Sequence, residues 1–308
     1  GLLFLKLPES AVRFILELIP SVLSVLFVYL IGKEIFNKKV GIISAFIFSF
    51  LWIDLFYTLR LMTDIPPLVF LFASIYFFIK ATKSEFNYRF FLISLLLLSI
   101  AVLLRYPIGI IFFVYLFMLI LNKQIYLKKS KFWIYGIIGI APILIFFLIN
   151  FITYGNIFPA LLGGTYINAS GVYYPIAWSS LSFIFIYLQT TFFIFFLLGI
   201  AIVLFEIILG YNLILKDIKL RNYLFLILIL VSVYCFFIFY MRSVEDRYLL
   251  PVSITFCLFT GFGLDLSFNF IKKYSKYLAV ILLLAVLLFG AYSQITYADQ
   301  LIKVKQQS

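Results

Sequence analysis

The sequence predicts an all-α polytopic membrane protein of about ten transmembrane helices, forming one domain over residues 1–308. Three observations carry this. Hydrophobic residues make up 66% of the chain and charged residues only 12%, more apolar surface than a water-soluble fold of 308 residues can hide. The apolar residues fall in runs near the roughly 20-residue length that crosses a bilayer. The turns between the runs alternate in character, one set rich in Lys and the other bearing Arg and carboxylates.

Taken in order, the first apolar run covers 11–31 and stops at "GKEIFNKK". The second, 40–58, reads as one continuous helix. The third, 65–80, opens on Pro66-Pro67, which suits a first helical turn because the missing N–H groups have no intrahelical partner there. After "KATKSEFNYR" come 90–105, ended by Arg105 and Pro107, and 108–122. This pair is short for full spans and is expected to tilt or dip. "NKQIYLKKSK" leads into 132–152. An outer-face loop over 153–181 follows, aromatic and Gly-rich and free of Lys, Arg, Asp and Glu. Span 182–208, the turn "YNLILKDIKLRN" and span 222–241 come next. "RSVEDRYLLP" introduces 250–270, and "KKYSKY" separates it from 278–296. The first residue, Gly1, is not an initiator Met, and "GLLFLKLPES" is too short to span. The sequence is therefore read as beginning inside a longer protein.

Composition narrows the chemistry. With no His, the commonest general base, metal ligand and proton relay are all missing. Cys235 and Cys257 show no metal spacing and read as buried apolar thiols at similar depth rather than a disulfide. No cofactor is indicated, and divalent-metal use stays open. The +12 net charge belongs with Lys-rich cytoplasmic loops rather than with a nucleic-acid surface.

The five Lys-rich turns hold 16 of the 24 basic residues, and the positive-inside bias places them in the cytoplasm. Five of the seven Arg fall on the other side, while 14 of the 17 Lys stay inside. Lys is an adequate solvated anchor. Arg presents a planar, permanently charged fork that grips phosphate or carboxylate at two points. The outward face is therefore expected to hold an anion.

Three outward turns supply the candidates. In "YTLRLMTDIPP", Asp64 is placed to cap the following helix and still turn one oxygen to a cavity, with Arg60 beside it and Asp54 beneath. In "AVLLRYPIG" Arg105 closes an apolar run, and in "RSVEDRYLLP" Glu245, Arg247 and Tyr248 lead into the ninth helix. A helix cap, a snorkelling anchor and a solvated turn are the plain alternatives for the three sites. Glu206 and Asp265 fall near inner helix ends and read as ordinary interfacial groups. An outward transporter or flippase for an anionic, lipid-linked substrate would also want Arg. It would normally place charges near the midplane and show repeats, and neither is evident.

The stretch "IGKEIFNKKVGIISAFIFSFLWIDLFYTLRLMTDIPPLVFLFASIYFFIKA" resembles the second-to-fourth-helix region of GT-C glycosyltransferases. The branch is the dolichyl-phosphate-mannose protein mannosyltransferase and aminoarabinose transferase type. "LLLLSIAVLLRYPIGIIFF" is similar to its next hairpin, "NFITYGNIFP" to its segment leading into the large outer loop, and "EDRYLLPV" to its late Arg-Tyr motif. The resemblance implies a GT-C-like transmembrane core that moves a sugar from a polyprenyl-phosphate-linked donor to a protein, lipid or glycan acceptor outside the cytoplasm. It makes Asp64 the acidic residue of the second outer turn and assigns Arg60, Arg105 and Arg247 to the donor phosphate. Tyr248, Glu245, Tyr154 and Asn156 fall in the segments expected to meet substrate. Asp54, a second candidate proton acceptor, matches no family position. The family's acidic pair sits in a first outer loop, which would lie before Gly1.

Overall fold

A computed structural model describes residues 8–59, 64–83, 85–121, 128–157, 178–214, 216–241 and 246–306. Every regular element among them is helical. Arg60, Glu245 and most of the outer loop lie outside the described residues.

We number the helices α1 (Glu9–Ile35, with a π-helical turn at Phe14–Leu18), α2 (Lys38–Ser49), α3 (Trp52–Thr58), α4 (Pro66–Thr82), α5 (Tyr88–Leu104), α6 (Tyr106–Leu121), α7 (Ser130–Tyr154), α8 (Trp178–Leu209), α9 (Ile218–Phe239), α10 (Asp246–Lys272) and α11 (Lys276–Gln306). Six of these, α1 and α7 to α11, are long and apolar enough to cross a membrane. Helices α4, α5 and α6 are shorter apolar helices, as their run lengths imply. Large apolar side chains such as Phe113, Ile152 and Leu288 stand exposed on the bundle surface, a sensible arrangement only where lipid is the solvent. Helix α10 is different: almost all of it is buried, with α1, α2, α8, α9 and α11 packed against it.

The predicted single helix over 40–58 is corrected to two helices, α2 and α3, bent by 51°. The break leaves the Trp52 N–H, the first of α3, without an intrahelical acceptor. Fully buried Gln294 of α11 supplies one, its Oε1 accepting at 2.9 Å. The Gln294 amide then donates to the Tyr187 carbonyl at 2.9 Å. That carbonyl lies beside a second break, where Gln189 of α8 adopts φ 52°, ψ 174°. The Trp52 indole and the Gln189 amide both donate to the Ile186 carbonyl, at 2.9 and 2.8 Å. Two interrupted helices thus satisfy each other's loose backbone groups, as the apolar interior requires.

Helices α8 and α10 touch backbone to backbone at Gly199 and Gly263. A Cβ on Gly263 would lie 2.0 Å from the Phe195 carbonyl oxygen, and one on Gly199 2.0 Å from that of Phe259. Small residues let membrane helices approach this closely. Helices α4, α5 and α6 are joined by a buried hydroxyl cluster. Ser74 and Ser94 donate to each other's carbonyls at 2.8 and 2.9 Å, and the Tyr115 hydroxyl lies 2.8 Å from Ser74 Oγ. This fixes α4 against α5, and with them the residues at their ends.

The charged groups divide between the two ends of the bundle. At one end Glu34 pairs with Lys80 and Lys83, Glu206 with Lys219, and Asp265 with Lys39, while Arg221 donates to the Thr82 carbonyl. Glu206 and Asp265 are therefore Lys-paired groups at helix ends, in keeping with the sequence reading. Helix α4 runs from this end at Thr82 back to Asp64, and α10 from Lys272 back to Asp246. Of the cysteines, Cys257 is buried as expected, whereas Cys235 is exposed on the apolar surface; both are free thiols.

Candidate active site

At the far end, three turns distant in sequence come together. Asp64 stands just before α4, Arg105 just after α5, and Arg247 and Tyr248 in the first turn of α10. With Leu104, Tyr106 and Pro107 they line an open cleft of about 310 Å³. That lies at the small end of ligand sites, with room for a phosphate and part of a sugar ring.

Each side chain is positioned by its own turn. Helix α5 ends where Pro107 forbids its continuation, and Arg105 takes up an extended conformation (φ −152°, ψ 100°) that turns it out of the helix. The sequence suggests Asp64 as the cap of α4. Instead Ile65 occupies the cap position with no side-chain bond, and Asp64 forms an ion pair with Arg105. The reason is in the sequence: Pro66 and Pro67 offer no N–H to a cap, so the carboxylate is left for a stronger partner. Both members are largely buried, the side chains 5% and 11% exposed.

The α10 turn is anchored from two sides. The Tyr57 hydroxyl donates to Asp246 Oδ1 at 3.0 Å, and the Tyr187 hydroxyl donates to the Asp246 carbonyl at 2.6 Å. The next two residues, Arg247 and Tyr248, therefore have a fixed origin. Tyr248 stacks on Phe237 with centroids 5.5 Å apart and planes 13° from parallel. Its ring has the Arg105 guanidinium carbon 5.2 Å away and that of Arg247 5.3 Å away. One aromatic quadrupole thus attracts both guanidinium groups and tempers their mutual repulsion. Tyr57, Tyr187 and Asp246 are positioning residues; Asp246 belongs to the charged "RSVEDRYLLP" turn, but the sequence does not reveal the two tyrosines. Nothing in an aromatic-rich sequence distinguishes these two tyrosines from the other 20.

The remaining candidates lie elsewhere. Asp54 is 2% exposed in α3, accepts the Ser21 hydroxyl at 2.6 Å, and does not line the cleft. Its bond to Ser21 turns this face of α3 toward α1. Tyr154, 66% exposed at the end of α7, and Asn156, just past the left-handed Gly155, also fall outside the cleft lining. Among the described residues no three His, Cys, Asp or Glu side chains converge as a metal-binding set.

Residues 2–149, just under half of the chain, match the family model described as dolichyl-phosphate-mannose-protein mannosyltransferase. That stretch holds both Asp64 and Arg105. The structure superposes on the oligosaccharyltransferase of Archaeoglobus fulgidus, solved with zinc and sulfate, with a TM-score of 0.55 at 14% identity. Both matches are GT-C in type. The fold is GT-C-like. The superposition covers 97% of this chain and 42% of that one, so the GT-C-like core described here corresponds to less than half of that enzyme's length. No curated protein matches the chain in sequence. Within this GT-C-like core the cleft sits where the α3–α4, α5–α6 and α9–α10 connections meet.

Proposed function

We propose that the protein is a glycosyltransferase that takes its sugar from a polyprenyl-phosphate donor and passes it to a protein, lipid or glycan acceptor on the non-cytoplasmic side of a membrane. The observation that carries this is the convergence of Arg105, Arg247 and Tyr248 with Asp64 in one cleft at the end of the bundle opposite the Lys clusters. The mannosyltransferase family match and the GT-C-like fold point the same way.

In the reaction, the acceptor oxygen attacks the anomeric carbon and the bond from that carbon to the phosphate oxygen breaks. Its electron pair leaves on the prenyl phosphate, and the acceptor proton must go to a base. Arg105 and Arg247 compensate the charge that develops on the leaving phosphate. Asp64 is the carboxylate in the cleft that takes the proton. Asp54, away from the lining, is left out of that role. Tyr248 holds the two guanidinium groups and offers its ring edge to the sugar. Arg60 and Glu245 belong to the same two turns and are assigned to the donor phosphate and to substrate; Tyr154 and Asn156 are assigned to the acceptor side. The donor is already activated, so the chemistry calls for no nucleotide. The zinc with which the Archaeoglobus enzyme was solved has no counterpart set of three or more His, Cys, Asp or Glu side chains among the described residues.

The test uses the full-length protein in sealed vesicles. Labelled sugar is expected to pass from a polyprenyl-phosphate donor and not from a nucleotide sugar, with reporters at Lys128 and Arg247 in opposite compartments. Transfer from the nucleotide sugar alone, or reporters in one compartment, would remove the proposal.

A further inference from the structure

The ion pair in the cleft conflicts with both tasks assigned to it. A carboxylate held by a guanidinium is stabilised in its charged form and is a poor base. A guanidinium engaged by a buried carboxylate presents fewer donors to a phosphate. Resting on the reading above, we infer that Arg105 changes partner in each turnover: the donor phosphate takes the guanidinium from Asp64, and only then is the Asp64 carboxylate available to the acceptor hydroxyl.

The balance of charge favours the exchange. Before reaction the cleft with donor holds Arg105 and Arg247, each positive, the Asp64 carboxylate and a singly charged phosphodiester, summing to zero. Attack by the acceptor moves a proton to Asp64 and breaks the anomeric C–O bond, leaving prenyl phosphate as a dianion. The sum is again zero, but the negative charge has moved wholly onto the phosphate. The guanidinium follows the charge. In so buried a place an uncompensated charge is costly, so a path that stays neutral is preferred. Tyr248 makes the movement short. Its ring lies beside both guanidinium groups, so Arg105 keeps its cation–π contact while its ion pairing passes from carboxylate to phosphate. The consequence is an order of binding, donor first and acceptor second, with Asp64 shut away until the donor is seated.

Affinity for an unreactive phosphonate analogue of the donor tests this, in the full-length protein with Asp64→Asn and Asp64→Glu. Asp64→Asn removes the competing charge, so the analogue should bind about tenfold more tightly while transfer falls at least about 100-fold. Asp64→Glu should bind as the unsubstituted protein does. Unchanged or weaker binding in Asp64→Asn would overturn the exchange and make Asp64 a fixed orienting partner of Arg105. A second measurement needs no variant: initial-rate kinetics should be ordered, with no acceptor binding before donor, and random order would overturn it. Absence of analogue binding in the unsubstituted protein would be a different failure, that of the glycosyltransferase reading itself.

Discussion

Arg105→Ala is expected to reduce sugar transfer by about 10²- to 10³-fold, the usual cost of deleting one group aimed at a developing charge. It should also lower stability, because Asp64, only 5% exposed, loses its partner. Breaking a buried pair from one side costs about 3–5 kcal/mol. The two losses separate in the double variant Asp64→Asn with Arg105→Ala, which leaves no unpaired charge: thermal unfolding in detergent should recover while transfer does not. Arg105→Lys distinguishes this account from a snorkelling anchor, for which Lys would serve as well. A point charge lacks the two-pronged fork, so transfer should stay depressed although the charge is kept. Transfer within twofold of normal in Arg105→Ala would remove Arg105 from the mechanism.

Gly263→Leu should abolish folded protein. The contact between α8 and α10 is backbone on backbone, and even the first carbon of a side chain would sit 2.0 Å from the Phe195 carbonyl oxygen. A flexible side chain could move aside; a helix backbone cannot without separating α8 from the most buried helix of the bundle. The cost exceeds the roughly 1–3 kcal/mol of ordinary overpacking, which is a large part of a protein's net stability. Because α10 also carries Arg247 and Tyr248 on its first turn, any protein that does fold should have a displaced cleft. Gly136→Ala in α7 is the control: a Cβ there meets only Phe91, at 3.9 Å. Size-exclusion chromatography and thermal unfolding in detergent would read both.

The helices were legible in the sequence because lipid leaves few options: an apolar run of sufficient length must satisfy its own backbone, and the charged turns between runs mark its limits. The two breaks were not legible. "FSFLWID" carries no Pro or Gly, and "IYLQTTF" is equally unremarkable. What holds each break open is a tertiary contact, chiefly with Gln294, and a polar residue in the last helix gives no hint of serving two interruptions far upstream. The site divides in the same way. Arg105, Asp64 and Arg247 stood out because charge beside a membrane helix is expensive and so is rarely idle. Their mutual geometry was hidden. The paired prolines suggested a capped helix, whereas they deprive Asp64 of the N–H groups a cap would use and release it to Arg105. The surroundings of Asp54 are hidden for a related reason. It shares an apolar run with the "YTLR" turn, but its direction depends on the break at 50–51 and on Ser21 of α1.

The most direct measurement is the affinity of the full-length protein, in lipid nanodiscs, for polyprenyl monophosphate, compared between the unsubstituted chain and Arg247→Ala. Arg247 reaches the cleft from α10, far in sequence from Arg105, so its share of the grip depends on the folded arrangement of the three turns. The account predicts binding that weakens at least about tenfold in the variant, the loss of one charged contact to phosphate. Equal affinity in the two proteins would contradict it.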